Sequence, residues 1–315
     1  MTELLIVRRR RLGHSTTLGL SSLLTTMGIP SMVWRADRRF PERLLNASTQ
    51  GTTIPTVLRW GCTAAMPTAF TAQVESTLNN ARGIHRVCNK TGFLGTLKEV
   101  MDDQTGMLPV LTLPVMRPIY EQWSGSTQQW VVRPAQHAQG RNLQVVTQDN
   151  LYTALTRMNR LGGQSYARPL IQKKAEYRAY VLNGRVVNLA RKTPSNPDDV
   201  AWNVAQGGRF DNVRWDDWPD AVVDLACRVH RHTGLTMSGI DVMVDEDDTA
   251  WFIEANSAPS LPFNEDGSTT YRHQCVAKGL YYTIKENNEM LDVTTGAGWR
   301  GYIHPAIWSR EGEMV

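Results

Sequence analysis

The order of apolar and polar residues over the first 80 positions predicts strands alternating with a helix. An apolar run at 4–7 precedes leucines at helical spacing, and two more apolar runs lie at 31–34 and 57–61. Strand, helix and strand joined by short links are typical of a parallel α/β unit. No Gly-x-Gly-x-x-Gly turn joins them, so the pattern does not predict a dinucleotide site. For residues 63–80 we expect a loop and a helix.

The rest of the chain predicts a part that is richer in strands. Asn183-Gly184 is a strong two-residue hairpin signal, and Gly234 closes a predicted helix. The predicted helices lie at 150–161, 222–232 and 269–285, and the predicted strands at 110–116, 130–134, 143–146, 167–172, 176–182, 186–190, 240–244 and 250–253. The last two strands form a hairpin, and residues 288–315 contain no motif.

The final hairpin carries the most informative polar residues. Asp241 lies within its first strand, and Glu254 and Asn256 lie at the end of its second strand. Side chains two positions apart in a strand share a face, and antiparallel pairing can bring Asp241 beside the other two. Two carboxylates and an amide oxygen suit Mg²⁺, which prefers oxygen ligands and shares its shell with substrate phosphates. From these residues alone, a metal site and a water-exposed polar sheet face both stay open.

This hairpin resembles the metal-binding hairpin of ATP-grasp ligases, which include D-alanine–D-alanine ligase, glutathione synthetase and peptide-modifying amino-acid ligases. The resemblance lies in Asp-Val-Met-Val-Asp at 241–245 and Phe-Ile-Glu-Ala-Asn-Ser-Ala-Pro at 252–259. It implies that Asp241, Glu254 and Asn256 bind Mg²⁺, with two ions expected and Mn²⁺ as an alternative, beside the ATP phosphates. The chain departs from the family at Ser260, where relatives often have Gly, and from D-alanine–D-alanine ligase at Gly239, where that branch has Arg.

The resemblance, which covers roughly residues 85–265, also implies the ATP-grasp fold. In that fold, two α+β subdomains grip ATP behind a Rossmann-like pre-domain that helps to shape the acceptor site. The implied boundaries are 1–80 for the Rossmann-like domain, 81–168 for the central subdomain, 169–288 for the C-terminal subdomain and 289–315 for a tail.

Four residues match positions near the triphosphate in this superfamily. By the resemblance, Lys90 meets the phosphates beside a helix N-terminus, which adds its own positive end. Arg133 replaces the Lys of the family's Lys-Pro pair, which keeps the charge but changes its geometry. The loop that follows contains Gly140 and is implied to fold over the phosphates. His137 in that loop is either a phosphate donor or a plain loop residue.

Three residues match positions that bind the rest of the nucleotide. The resemblance implies that backbone groups of Gln172 and Lys173 take the adenine and that Glu176 binds the ribose hydroxyls.

Three more residues match positions that are implied to be catalytic in peptide-modifying relatives. Arg178 is implied to stabilise an acyl phosphate or a tetrahedral oxyanion. A cross-strand ion pair on a solvent-exposed face is the alternative role for Arg178. Arg191 and Asn203 match the Arg and Asn that follow the hairpin in the peptide-ligase branch.

Composition sets limits on the class of protein. Apolar residues make up 41% and charged residues 20% of the chain, as in ordinary globular proteins. No run of about 18 apolar residues predicts a membrane span, and the charge order at the N-terminus is the reverse of a signal peptide. We therefore expect a cytoplasmic protein without membrane contact, whose four separated cysteines are reduced.

The net charge of +4 permits an anionic partner without identifying it. The arginine run Arg8–Arg11, together with Arg35, Arg38 and Arg39, is a solvated face, an anionic-substrate site or a nucleic-acid contact.

We predict an ATP-dependent ligase that forms an amide between a carboxylate and an amine through an acyl phosphate. The carboxylate belongs to a small molecule or a peptide, and family relatives imply a homo-oligomer as a further possibility. One alternative is a basic nucleic-acid-directed protein, either a binding module or a ligase acting on a modified base. The other is a catalytically inactive ATP-binding scaffold.

Overall fold

A computed structural model describes residues 3–10, 13–45, 54–101, 106–108, 110, 112, 129–135, 143–196, 199–200, 202 and 207–285. The strands in these ranges form a four-stranded, a three-stranded and a five-stranded sheet. The predicted mixed α/β class is therefore confirmed. The predicted tail and most of the predicted strand at 110–116 lie outside the described residues.

The N-terminal sheet is parallel, as predicted. Its strands are β1 (Leu4–Arg8), β2 (Ser31–Arg35), β3 (Ile54–Trp60) and β4 (Val74–Leu78), in the order β2-β1-β3-β4. Helix α1 (His14–Thr26) packs against the face that carries Leu4 and Ile6. The short helices α2 (Glu42–Leu45) and α3 (Thr68–Thr71) pack against the face that carries Leu5 and Val7. The alternation along β1 thus buries both faces of the sheet.

The expectation for residues 63–80 is wrong in part, because β4 lies where only a loop and a helix were expected. This edge strand keeps Glu75, Ser76 and Thr77 exposed, so no apolar run marks it in the sequence. Its pairing with β3 arises from tertiary structure and not from a local signal.

Two helices lead from this sheet to the next. They are α4 (Ala81–Cys88) and α5 (Lys90–Val100), and each is capped by an asparagine side chain. The Asn80 Oδ1 accepts from the Gly83 N–H at 2.8 Å, and the Asn89 Oδ1 accepts from the Gly92 N–H at 3.2 Å. An asparagine in this position satisfies a backbone donor that the first turn leaves free.

The three-stranded antiparallel sheet has the order β6-β5-β7, with β5 (Gln129–Pro134), β6 (Gln144–Thr147) and β7 (Ser165–Pro169). Helix α6 (Leu151–Gly162) covers one face, where Leu155 and Met158 are buried against Trp130 and Val132. The helix predicted at 150–161 is confirmed.

The five-stranded antiparallel sheet contains the strands that carry most of the predicted site. It has the order β10-β9-β8-β11-β12, with β8 (Lys173–Leu182), β9 (Arg185–Thr193), β10 (Arg209–Asn212), β11 (Met237–Asp245) and β12 (Ala250–Asn256). Asn183 and Gly184 have φ values of 48° and 77°, so the predicted two-residue turn is confirmed.

Two helices cover opposite faces of this sheet. Helix α7 (Asp220–Thr233) ends at Gly234, whose φ of 69° gives the predicted left-handed cap. Its His230 lies 2.7 Å from Ser238 of β11, whereas Cys275 of α8 (Tyr271–Lys285) lies 3.9 Å from Asn188 of β9. Ser238 and Asn188 pair with successive residues of β8 and therefore point to opposite faces. Helix α8 covers only part of its face, because the rest of that face borders the cleft described next.

Across the described ranges, no helix has the length and apolar character needed to cross a membrane.

Candidate active site

A cleft of about 1190 Å³ lies where the three sheets meet. The three-stranded sheet contributes residues of β5 and β7, and the five-stranded sheet contributes residues of all five of its strands. Arg9 and Gly61, which directly follow β1 and β3, line the same cleft. The carboxyl ends of parallel strands therefore border the cleft, which is where open α/β sheets commonly bind ligands.

Strand register brings the polar residues of the cleft to one face of the five-stranded sheet. Asp241 lies directly opposite both Arg178 of β8 and Glu254 of β12. Glu176 lies directly opposite Lys192 of β9. Directly opposed residues in antiparallel strands share a face. The register between β11 and β12 shifts immediately after Asp241. Asp241 itself lies opposite Glu254, whereas the pairing beyond it is offset.

Asp241 is held by two cations. Arg178 donates from Nε to Oδ1 at 2.6 Å and from Nη2 to Oδ2 at 2.7 Å, and Lys192 Nζ donates to Oδ2 at 2.9 Å. Asp241 is 2% exposed, so an unpaired charge here would be costly. The fork of the guanidinium matches the carboxylate and fixes its orientation.

Glu176 is paired with two lysines on the same face. Lys192 Nζ donates to its Oε1, and Lys173 Nζ donates to its Oε2 at 2.6 Å. Lys192 therefore bridges the carboxylates of Glu176 and Asp241. The Lys173 ammonium also lies 4.5 Å from the centre of the Trp202 ring.

Glu254 is paired with Lys90, which is the first residue of α5. Lys90 Nζ donates to Oε2 at 2.6 Å, and the Asn256 side-chain amide donates to Oε1 at 3.3 Å. Helix α5 thus places its N-terminal lysine beside the hairpin residues that are predicted to bind a metal, although 164 positions separate Lys90 from Glu254.

These contacts shift the ionisation of the site in a consistent direction. Burial opposes the charge on Asp241, but Arg178 and Lys192 outweigh it and lower its pKa. Burial likewise opposes the charge on Glu254, yet Lys90, Lys192 and Arg178 lower its pKa. Burial favours neutral Lys192, whereas Asp241 and Glu176 raise its pKa. The carboxylates are therefore ionised and the lysine charged at neutral pH.

The donor set of the hairpin fits a hard divalent cation. Asp241 and Glu254 supply carboxylates, and Asn256 supplies an amide oxygen on the same face. Within the described ranges, no three His, Cys, Asp or Glu side chains group closely enough to hold a metal by themselves. An ion here would need non-protein ligands as well, as Mg²⁺ commonly does with phosphates and water. Metal binding to Asp241 would also have to replace one of its contacts with Arg178 or Lys192.

Most of the predicted site residues line this one cleft. They are Lys90, Arg133, Lys173, Glu176, Arg178, Asp241, Glu254 and Asn256. Three predicted residues, His137, Gly140 and Asn203, lie outside the described residues.

Two predicted residues are not in the cleft lining. The Gln172 side chain is exposed, and the link between β7 and β8 lines the cleft through Leu170 and Ile171 instead. Arg191 is exposed on the other face of β9, because it lies directly opposite Tyr177 while the neighbouring Lys192 lies opposite Glu176. The strand period of two therefore gives the inward position to Lys192, and the expectation for Arg191 is corrected.

Three cleft residues were missed in the sequence. Arg168 of β7 is 6% exposed and donates to the backbone oxygens of Phe252 at 2.7 Å and Ile253 at 3.2 Å, so it ties the three-stranded sheet to the hairpin. Burial lowers the pKa of Arg168 to about 10. Phe210 of β10 lies 5.0 Å from the Arg178 guanidinium and was also missed, with Lys192. None of these three positions carries a local signal, because each faces the cleft through the register between paired strands.

Gly239 is explained by a close approach of the chain after β12. A Cβ built on Gly239 would lie 2.7 Å from the Cβ of Pro259. The segment after Asn256 therefore crosses directly over β11. A larger residue at position 239, such as the Arg of D-alanine–D-alanine ligase, has no room here.

Comparisons with known proteins agree with this geometry. Residues 147–273 match the model of the RimK-like ATP-grasp domain, and no curated protein sequence matches the chain. The ATP-grasp ligase PsnB, complexed with a minimal precursor, Mg and ADP, is similar with a TM-score of 0.63 at 13% identity, over 90% of this chain and 98% of that chain.

Two further solved structures are similar over most of the chain. The macrocyclase MdnC from Microcystis aeruginosa MRC, bound with precursor peptide MdnA, has a TM-score of 0.59 at 13% identity, over 90% of this chain and 100% of that chain. D-alanine–D-alanine ligase from Bacillus anthracis, complexed with ATP, has a TM-score of 0.58 at 10% identity, over 91% and 95%.

The chain therefore has the ATP-grasp fold, and its segment 147–273 is similar to the RimK-like ATP-grasp domain. The predicted ATP-grasp fold is thereby confirmed.

Proposed function

We propose that the protein uses ATP to activate a carboxylate as an acyl phosphate and then joins it to an amine. The observation that carries this proposal is the direct opposition of Asp241 and Glu254, with Asn256 beside them, on a cleft face that also holds Lys90 and Arg178. A set of hard oxygen ligands surrounded by cations suits a metal-bound triphosphate.

For the nucleotide we propose a position between the three-stranded and five-stranded sheets. Lys90 at the start of α5 and Arg133 of β5 both line the cleft and would contact the phosphates. Gln172 and Lys173 lie at the link between the two sheets, and their backbone groups would contact the adenine, whereas Glu176 would contact the ribose. The Lys90 ammonium is paired with Glu254, so phosphate binding would exchange this ion pair for a contact with the nucleotide.

Asp241, Glu254 and Asn256 would hold Mg²⁺, with two ions expected. The ion supplies charge neutralisation and orientation for the phosphates. The proposal draws support from the donor set of the hairpin and from the Mg and ADP present with PsnB.

The bond changes assign roles to the remaining cations. A carboxylate oxygen of the substrate attacks the γ-phosphorus, and ADP leaves. The amine nitrogen then attacks the acyl carbon, phosphate leaves, and the amine loses a proton. Negative charge grows on the acyl oxygen during this second step, and Arg178 at the cleft face is proposed to stabilise it. Asn203, which lies outside the described residues, stays a predicted catalytic residue.

We propose a peptide as the carboxylate substrate. The cleft of about 1190 Å³ lies above the usual range of about 300–1,000 Å³ for small-molecule pockets. PsnB and MdnC, which are similar in fold, were each solved with a precursor peptide. A small carboxylate remains the second candidate, because D-alanine–D-alanine ligase and D-cycloserine synthetase DcsG share the fold.

The test is ADP release, measured with a coupled assay, with Mg²⁺ and a mixture of amino acids and carboxylate-bearing peptides. Mass spectrometry of the products would identify the amide. We expect Glu254→Gln to lower turnover by at least about 100-fold, because a ligand of the phosphate-binding site is lost. The matched control is Glu246→Gln, an exposed acid at the tip of the same hairpin, which should keep wild-type turnover.

Two results would contradict the proposal. One is full turnover in Glu254→Gln. The other is stabilisation by ATP with Mg²⁺ but no ADP release with any substrate mixture, which would favour the inactive scaffold.

A further inference from the structure

An arginine-rich surface lies beside the cleft and has no role in the chemistry described above. We call it the arginine surface and define it by Arg8, Arg9, Arg10, Arg35, Arg38 and Arg39. It lies at the carboxyl ends of β1 and β2 and just beyond them. Residues 8–10 and 35–42 contain six arginines and two carboxylates, so the surface carries an excess of positive charge.

Two of these arginines are neighbours across parallel strands. Arg8 pairs in register with Arg35, and Arg8 is 6% exposed. Its Nη1 donates to the Arg9 backbone oxygen at 3.0 Å, and its Nη2 lies 2.8 Å from Nδ1 of His14. Burial and the nearby Arg35 charge lower the Arg8 pKa. Like charges on adjacent strands are unfavourable for folding, so this pair is not explained by stability.

The internal carboxylates leave part of the charge unmatched. Asp37 lies 2.7 Å from Arg35 and 4.0 Å from Arg10, and Glu42 pairs with Arg39. Within the described ranges, neither Arg9 nor Arg38 has a carboxylate partner. These two arginines are also exposed, so they are available to a ligand from solution.

The arginine surface is continuous with the cleft. Arg9 lines the cleft together with Gly61 and the segment 257–260 that follows β12. Helix α1, which has 13 residues, begins without a side-chain cap at His14, the residue that contacts Arg8, and its N-terminus adds positive potential. An anionic group bound by Arg9 would therefore lie at the rim of the cleft that holds Arg178 and Asp241.

The features of this surface favour an acidic peptide over a nucleic acid. Proteins that bind single strands offer exposed aromatic rings on which bases stack. Within the described part of this surface no aromatic ring is fully open to solvent, since Trp34 is 6% exposed and the half-buried Phe40 packs edge-on against it. Arginine forks match carboxylates and phosphates alike, so the lack of a stacking platform is the feature that favours the peptide.

We propose that the arginine surface binds non-reacting carboxylates of an acidic peptide substrate, a second segment of which enters the cleft. The role of the peptide as a substrate rests on the proposed ligase function. The binding of the peptide to the arginine surface does not depend on that function. It gives the arginine run a role as a substrate-binding site that selects for acidic sequence.

The test is fluorescence anisotropy in the absence of ATP. The probes are a fluorescein-labelled Glu-Gly repeat peptide, its Gln-Gly counterpart of the same length, and a labelled oligothymidine. The test variant is the double substitution Arg9→Ala with Arg10→Ala, since both side chains are exposed. The matched control is Arg157→Ala with Arg160→Ala, which removes the same charge from exposed positions of α6. Thermal unfolding of both variants checks that the fold is intact.

We expect the Glu-Gly peptide to bind the wild-type protein and the Gln-Gly peptide not to bind. The test variant should bind the Glu-Gly peptide with an affinity at least about tenfold lower, because two charge-assisted contacts are lost. The control variant should stay within about twofold, and added salt should weaken binding because exposed charges are screened.

Equal binding of the Glu-Gly peptide by the test and control variants would overturn the proposal. Tighter binding of oligothymidine than of the Glu-Gly peptide would overturn it in favour of a nucleic-acid surface. ADP release tells the two proposals apart. Peptide binding that depends on Arg9 and Arg10, without ADP release, would overturn the ligase function alone.

Discussion

Lys192 is the residue whose substitution tests the site most directly. Its ammonium bridges the carboxylates of Glu176 and Asp241, and it is 4% exposed. Lys192→Met keeps the length of the side chain and removes the charge. If the lysine orients both carboxylates for ligand binding, the variant should lose activity by more than its loss of stability would explain.

The size of the stability effect follows from the contacts. Two charge-assisted hydrogen bonds are lost, worth about 1.5–3 kcal/mol each. Removing a buried ammonium also removes a desolvation penalty of several kcal/mol, which offsets part of this loss. Asp241 keeps Arg178 and Glu176 keeps Lys173, so neither carboxylate becomes unpaired. We therefore expect a net destabilisation of about 2 kcal/mol, or about 5 °C in Tm.

The assays are thermal unfolding without ligand and ADP release with Mg²⁺ and substrate. We expect turnover of Lys192→Met to fall about 100-fold, because misplacement of the reacting groups by about 1 Å has an effect of this order. The control is Arg191→Met, next along β9 but exposed on the other face, which should change stability by less than about 0.5 kcal/mol. Equal turnover in the two variants would refute the role given to Lys192.

Two further predictions follow from close contacts in the cleft. Gly239→Ala should lower the free energy of unfolding by about 1–3 kcal/mol and should therefore lower Tm, because the new Cβ would lie 2.7 Å from Pro259. In thermal unfolding, Gly95→Ala serves as its control, since a Cβ there meets nothing within 4 Å, and an equal loss in both variants would contradict the prediction. Glu254 has a lowered pKa, so its contribution to stability is complete above the ordinary pKa of an unfolded Glu and is lost as pH falls toward the folded pKa. Between pH 6 and pH 3.5 it should lose about 1 kcal/mol, and urea unfolding of Glu254→Gln should show a smaller acid loss than the wild type.

The hairpin of β11 and β12 could be predicted from the sequence because its signals are local. Apolar runs on either side of an acidic turn mark the two strands, and the side-chain period places Glu254 and Asn256 together. The turn at Asn183-Gly184 and the cap at Gly234 are equally local, since each depends on backbone conformations that these residues adopt easily.

The residues that were missed depend on non-local structure. Lys192 and Arg191 have the same charge, and only the register between β8 and β9 decides which of them faces the cleft. Arg168 joins strands of two different sheets, so no spacing in the sequence reports its contact with Phe252. The edge strand β4 was missed because its exposed residues have no apolar run.

The ion pairs of the cleft are better explained by chemistry than by stability. Glu176 and Asp241 are buried, and each accepts from two cations. Apolar side chains of similar volume would commonly pack as well or better, because taking paired charges out of water costs about as much as their attraction returns. Buried ion pairs contribute little net stability, so a network of them is expected where the charged groups bind a ligand. The same reasoning applies to the adjacent Arg8 and Arg35, whose repulsion an anionic ligand would relieve.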